Sequence, residues 1–270
     1  MTHQRVEEAE TVVSKIEDQI LREERLASLP PPEGSMTVHS RSHATLGNVA
    51  RQLLHAYPRR TALGIVLLTT QSFTYNAISF TYPFVLTKFY DVPANNIGLY
   101  ILPFALGNFL GPLVLGRYFD TVGRKPMISF TYAFAGCLLA VTGYLFWQGA
   151  FTAVTQTLAW SAIFFFASAG ASAAYLTVSE IFPLEIRAMA IACFFVVAQG
   201  TGIVAPWLFG KLIETSAQSV FYGYLLGAGM MLTGALVELW LGINAEGRSL
   251  ESIAMPLSAQ KRPEDSAHNQ

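Results

Sequence analysis

Ionisable side chains are almost missing from the long apolar stretches of this chain. Glu238 is the one such residue inside six hydrophobic runs. Charged residues make up 13% of 270 against 52% hydrophobic, more apolar content than one soluble core uses, which predicts an integral membrane protein. A basic excess is also lacking: the formal net charge is −1, so the surface that phosphate binding needs is absent and nucleic acid is excluded as a partner. Cysteine is scarce. Cys137 and Cys193 lie in separate apolar runs, with no C-x-x-C and no metal spacing, and are expected to be free thiols. His3, His39, His43, His55 and His268 all fall outside the runs, and no nucleophile with a base, metal cluster or phosphate loop is found. Catalytic residues, metal ligands and cofactors are therefore all expected to be none, and the chain is not read as an enzyme. The polar N-terminal stretch lacks the basic-then-apolar pattern of a cleaved signal, so the first span is expected to direct insertion.

What is present is membrane-spanning length. A bilayer core of about 30 Å takes roughly 20 apolar residues as helix. Six segments reach that length, at about 61–84, 96–115, 127–147, 155–178, 188–209 and 220–241. Glu238 lies near the end of the last, where it is expected to snorkel to the interface. Arg51, Arg59, Arg60, Arg117, Arg124, Lys125, Arg187 and Arg248 fall in connections on one side, and only Lys88 and Lys211 on the other. The positive-inside rule then places both termini in the cytoplasm of a multi-pass protein of the plasma or inner membrane, in contact with lipid. Small residues such as Gly107 with Gly111 and Gly223 with Gly227 suit close helix packing.

Ahead of the spans, Val6, Ala9, Val13, Ile16 and Ile20 recur at helical spacing among acidic residues, predicting an amphipathic surface helix within 1–29. It is either solvated or docked on the cytoplasmic face. Pro30, Pro31 and Pro32 end it, a polar linker is expected over 30–60, and 244–270 reads as a cytoplasmic tail.

Two charged hinges and a few polar residues within spans carry the functional signal. Between the second and third spans, GRYFDTVGRKPM sets Asp120 beside Arg117, Arg124 and Lys125 in a turn that Gly123 and Pro126 can shape, while Gly116 permits close helix approach. Between the fourth and fifth, SEIFPLEIRAMA carries Glu180, Pro183 and Arg187. Partly desolvated ion pairs between the hinges, Glu180 or Arg187 with Arg117, Arg124 or Asp120, would form a latch; merely fixing topology is the plainer role. Gln71, Asn76 and Gln199 are amides at membrane depth, where each needs a partner, either a neighbouring helix or a ligand.

The first hinge resembles the signature loop G-x-x-x-D-x-x-G-R-[RK] of the major facilitator superfamily, and the second resembles the E-x-x-P-x-x-x-R pattern of its sugar-porter-like members. QSFTYNAISFTY is similar to the sugar-porter segment Q-Q-x-x-G-x-N-x-x-x-Y-Y, with Gln71 at the second glutamine, Asn76 at the asparagine and Tyr82 near the tyrosines; Thr70 and Tyr75 stand where the family has glutamine and glycine. The resemblance places Asn108 and Tyr175 in the cavity too, with Gln199 near a family glutamine. It implies an all-α, integral membrane six-helix bundle corresponding to the C-terminal half of the twelve-helix major facilitator fold. It also implies that the hinge charges hold one access state. The two halves of such transporters enclose the substrate between them.

The function implied is secondary transport of a small polar solute by alternating access, with an N-terminal half as partner. A truncated remnant that transports nothing, and a homodimeric uniporter formed with a second copy, stand as alternatives. No acid lies deep in a span, so a coupling proton site would have to come from a missing half. Sugar, polyol and small organic or aromatic acid all remain open as solutes.

Overall fold

Local signals set the start and end of each helix in the structure, a computed structural model that describes residues 6–23, 46–243 and 254. Helix α1, Val6–Glu23, belongs to one compact unit, and Leu46–Ala254 forms the other. In α1 the stripe of Val12, Val13, Ile16 and Ile20 is exposed. Helix α2, Leu46–Arg51, runs into a π turn, Gln52–Ala56. Pro58 then sits in the first turn of α3, Pro58–Tyr90, where its missing N–H costs nothing. Asp91 ends α3 in the left-handed conformation, at φ 52°.

Helix α4, Ile97–Thr121, follows a short 3-10 turn, and α5, Arg124–Trp147, begins after Gly123, whose φ of 113° makes the sharp turn between them. Thr152 caps α6, Ala153–Glu180, in a reciprocal box with Thr155. Pro183 precedes α7, Leu184–Thr215, and the Ser216 hydroxyl caps α8, Ala217–Leu241, by accepting from the Ser219 N–H. Among the described residues there is no strand. The architecture is an all-α membrane bundle of six long helices, α3 to α8.

Pairing of those six follows a pattern. The most extensive contacts join α5 to α8, α3 to α7 and α4 to α6, followed by α5 with α6 and α3 with α8. Exchanging the first three helices for the last three maps every one of these pairs onto another or onto itself, the mark of a 3+3 internal repeat. Glycine sets the closest approaches. A Cβ on Gly107 or Gly111 of α4 would collide with the backbone carbonyls of Ser161 and Phe165 on α6, so α4 can lie there only without side chains at those positions. On the other flank, Gly143 meets Tyr224 and Gly234 meets Tyr132 across α5 and α8. Both phenols are satisfied in the core: Tyr132 donates to the Leu67 carbonyl at 3.2 Å, and the Trp160 indole donates to the Tyr224 oxygen at 3.2 Å.

Five helices, α4 to α8, are long and apolar enough to cross a membrane. The expected first span, 61–84, falls on α3, which has the length but carries Thr, Ser, Gln and Asn along its middle, so its apolar content is lower. All six helices run past the expected windows, because a helix need not stop where the hydrocarbon does.

Three expectations are corrected. The linker over 30–60 is partly helical: Val49 and Leu53, four apart, are buried, and the Thr61 hydroxyl closes on the Leu53 carbonyl at 2.8 Å, while 24–45 lies outside the described residues. No described helix lies close to Gly116, where the space its Cβ would occupy is open. Glu238 does not snorkel. It is 0% exposed, because it continues the stripe of Gly227, Met231 and Gly234 that faces α5 and α3. The expected tail, 244–270, lies outside the described residues except Ala254.

Candidate functional site

Midway along the bundle, α3, α4, α6 and α7 leave a cavity of about 440 Å³. Helix α3 supplies Gln71, Ser72, Tyr75 and Asn76 to its wall, and α4 supplies Asn108 and Pro112. Ser168, Ser172 and Tyr175 face it from α6, at steps of four and three residues that keep them on one helical stripe, and Gln199 comes from α7. All five residues singled out in the sequence, Gln71, Asn76, Asn108, Tyr175 and Gln199, thus border one space. Gln71 and Asn76 are 140° apart on an ideal helix by the geometry of about 100° per residue, and a wide cavity accommodates both. Tyr82 does not line it; its ring stacks on Phe104, with centroids 6.2 Å apart.

Hydrogen bonds hold part of this wall and leave part free. The Asn76 amide donates to the Ser72 carbonyl at 2.7 Å and to its hydroxyl at 3.3 Å, and that hydroxyl donates to Gln199 Oε1 at 3.1 Å, tying α3 to α7. Gly202 makes the tie possible, since a Cβ there would stand 2.7 Å from Ser72 Oγ and 2.8 Å from Asn76 Nδ2. On the opposite wall the Ser168 hydroxyl donates to the Asn108 backbone carbonyl, and Ser172 donates to the Ser168 carbonyl at 3.0 Å. By contrast, Gln71 is 5% exposed and its Oε1 accepts from nothing. The Asn108 side chain makes no hydrogen bond among the described residues.

Aromatic rings flank the amides. Tyr75 packs on Phe164 with centroids 5.0 Å apart, and Tyr175 stacks on Phe195 at 5.2 Å and an interplanar angle of 13°. Each tyrosine is about one-third exposed, so one face of its ring stays open. Among the described residues no charged side chain lines the cavity. The wall therefore offers neutral donors, acceptors and ring faces, a chemistry suited to hydroxyl-rich or flat polar molecules. Ser72, Tyr75, Ser168 and Ser172 escaped the sequence reading; the signal that reveals them is that Ser72 is one turn from Asn76, and that both α6 serines share a stripe with Tyr175.

One end of the bundle carries the hinges. Arg124, opening α5, forms a salt bridge with Glu180, closing α6, and both side chains are mostly buried. Arg187 instead donates from Nε to the Phe182 carbonyl at 3.2 Å, and Arg60 reaches the Ile181 carbonyl, so two guanidiniums bind the buried backbone of the second hinge. Pro183 N-caps α7 at that turn, and Gly123 shapes the first hinge. Arg117 lies over its neighbour Tyr118, 5.4 Å from the ring centroid, and Asp120 is exposed and makes no salt bridge among the described residues. Lys125 makes none either. Arg124 with Glu180 is the ion pair that joins the two hinges among the described residues. At the other end, Lys88 Nζ donates to the carbonyls of Ile213 and Glu214, at 2.6 and 2.8 Å, closing the last turn of α7. The Tyr90 hydroxyl donates to Gln156 Oε1 at 3.1 Å, which joins α3 to α6.

Both cysteines are free, and among the described residues no group of His, Cys, Asp and Glu is arranged to hold a metal.

Comparison with known proteins adds an independent finding. The family described as "Sugar (and other) transporter" matches residues 1–256. The chain is 28% identical over 153 residues to the "Putative metabolite transport protein YaaU" of Escherichia coli (strain K12), a match covering 54% of this chain and 33% of that protein. It is 26% identical over 161 residues to the "Glucose facilitated diffusion protein" of Zymomonas mobilis, covering 57% of this chain and 33% of that protein. The matches span about a third of the length of these curated relatives.

Proposed function

Because the chain belongs to the sugar (and other) transporter family, we propose that it acts as the C-terminal half of a secondary transporter, carrying a small polar solute across the membrane by alternating access. The observation that carries this reading is the cavity of about 440 Å³ whose amides and ring faces come from four different helices. Its size suits a molecule such as a sugar, polyol or small organic acid. The names of both relatives, one a metabolite transporter and one a glucose carrier, agree with that range.

In this reading Gln71, Asn76, Asn108, Tyr175 and Gln199 contact the solute. Gln71 does so with an Oε1 that has no hydrogen-bond partner among the described residues, and Asn108 with a side-chain amide that lines the cavity. Arg124 and Glu180, with Arg187 bracing the second hinge, latch the charged end, which faces the cytoplasm by the positive-inside rule. Both termini then lie on that side of a plasma or inner membrane. The other cavity wall comes from an N-terminal six-helix half. Support for a missing wall lies in α4, where Leu99, Leu102, Leu106, Phe109 and Leu113 are all more than half exposed. Lipid covers such a face as readily as a second half does, so the test has to discriminate.

Uptake of labelled sugars and organic acids into proteoliposomes, by the chain alone and with a candidate N-terminal half, provides it. Uptake that needs the second half, and that Asn108→Ala abolishes, is the expected result. Uptake by the chain alone would establish a homo-oligomeric uniporter instead, and no uptake in either case a non-transporting remnant.

A further inference from the structure

The carboxyl of Glu238 is 0% exposed, and neither of its oxygens has a hydrogen-bond partner. A second orphan stands opposite. Ser129 of α5 is 4% exposed and its Oγ is likewise unpartnered. Helices α5 and α8 are antiparallel, and their register is fixed by close approaches: Gly143 to the Tyr224 Cβ at 2.7 Å, Gly136 to the Met231 Cβ at 3.1 Å, and Tyr132 to Gly234 at 2.9 Å, each measured to the glycine's would-be Cβ. Each turn toward the start of α5 is a turn toward the end of α8. One further turn brings Ser129 level with Glu238, without a hydrogen bond between the two side chains.

Within α8 the carboxyl lies against Gly242 at the end of the helix, where a Cβ would stand 2.6 Å from Oε1. On α3, the contacts of Thr74 with Gly227 and Thr70 with Gly234 put Glu238 level with the stretch around Val66, and α3 has no titratable residue between Arg60 and Tyr75. Helix α7 meets α8 far from it, where Gly223 packs on Phe209 and Leu212. From α5, the Tyr132 phenol shares the buried layer, and the Lys125 ammonium reaches Glu238 through its field without an ion pair. Among the described residues of α8 there is no other charged side chain.

An ionised carboxylate in such a place has no hydrogen-bond donor among the described residues to replace its hydration. Protonation removes the charge that has no partner there, and the acid is then left as a neutral group in the buried layer. A metal cation is a poor alternative occupant, because hard cations take six or more oxygens and this site offers a carboxylate and one hydroxyl beside an ammonium. We propose that Glu238 is a proton-binding site of this chain, protonated while α5 and α8 are packed as seen. When the charged end of α8 separates from α5, the carboxyl O–H bond breaks, its electron pair stays on the oxygen, the proton passes to water, and the carboxylate is left to pair with Lys125. The inference rests on the packing of α5 and α8 alone and does not depend on which solute is carried, or on whether any is.

Infrared spectroscopy of the full chain in lipid nanodiscs tests it without a transport assay. Near neutral pH the wild type should show a carboxylic-acid C=O stretch that Glu238→Gln loses, while Lys125→Met retains it. Absence of an acid band in the wild type, or a band untouched in Glu238→Gln, overturns the proposal. Should Glu238→Gln not fold, a pH series on the wild type decides: an acid band present at neutral pH and lost as the pH is raised supports the site, and no such band at neutral pH overturns it.

Discussion

Arg124 and Glu180, 56 residues apart, form the salt bridge that closes the charged end, with side chains only 11% and 18% exposed. At that burial each charge depends on the other. Removing one partner strands the other in a place where water reaches it poorly, which costs roughly 1–3 kcal/mol for a charged hydrogen bond at partial exposure. Arg124→Ala and Glu180→Ala should each lower the melting temperature in detergent. The double variant should be less destabilised than the sum of the two. A double-mutant cycle with no coupling energy would show that the hinges do not hold one another.

Gly111 makes a different kind of contact. Its backbone lies so close to the Phe165 carbonyl that a Cβ has no room, and the obstacle is backbone rather than a movable side chain. Gly111→Ala should therefore force α4 away from α6 and destabilise the bundle by about 1–3 kcal/mol. Gly116→Ala is the internal control, since its Cβ position is open and alanine favours helix. Thermal melts of the two variants should move in opposite directions, or the second not at all.

At the far end, Lys88 joins α3 to the final carbonyls of α7. A cation at a helix C-terminus is favourable both as a donor and through the dipole. Its exposure tempers the gain, so Lys88→Met should cost about 1 kcal/mol, and Lys88→Arg should restore much of it. Hydrogen exchange of the last turn of α7 is the direct readout, rising in Lys88→Met and returning toward the wild type in Lys88→Arg.

The sequence reading found the helices because each needs about 20 apolar residues, a signal no other structure imitates. Close packing was legible at Gly107 and Gly111, but not that α6 is what packs there, because a glycine pair marks a close approach without naming its partner. Amides stood out as costly in an apolar run, so Gln71, Asn76 and Gln199 were visible, whereas Asn108 came from the family resemblance; the structure sets all four round one cavity. Serines gave no such signal, because a hydroxyl in a helix can satisfy itself on the carbonyl four residues back, as Ser172 does on Ser168. Glu238 was misread because distance from a helix end was weighed and the face was not. Its stripe, shared with Gly227, Met231 and Gly234, was in the sequence throughout.

Gln71 separates stability from binding in one substitution. It is nearly buried, and its Oε1 has no partner, so the folded protein bears an unsatisfied acceptor that contributes nothing to packing. Gln71→Leu keeps most of the volume and removes that group, so stability should stay level or rise by up to about 1 kcal/mol. If the acceptor is kept for a solute hydroxyl, the same change removes a hydrogen bond made only in the bound state. Binding of the solute found by the uptake screen should then weaken about tenfold, the equivalent of about 1.4 kcal/mol. A melting temperature that falls, with solute affinity unchanged, would place Gln71 among the packing residues instead. Unchanged stability with weakened binding is the result that a structural role alone does not produce.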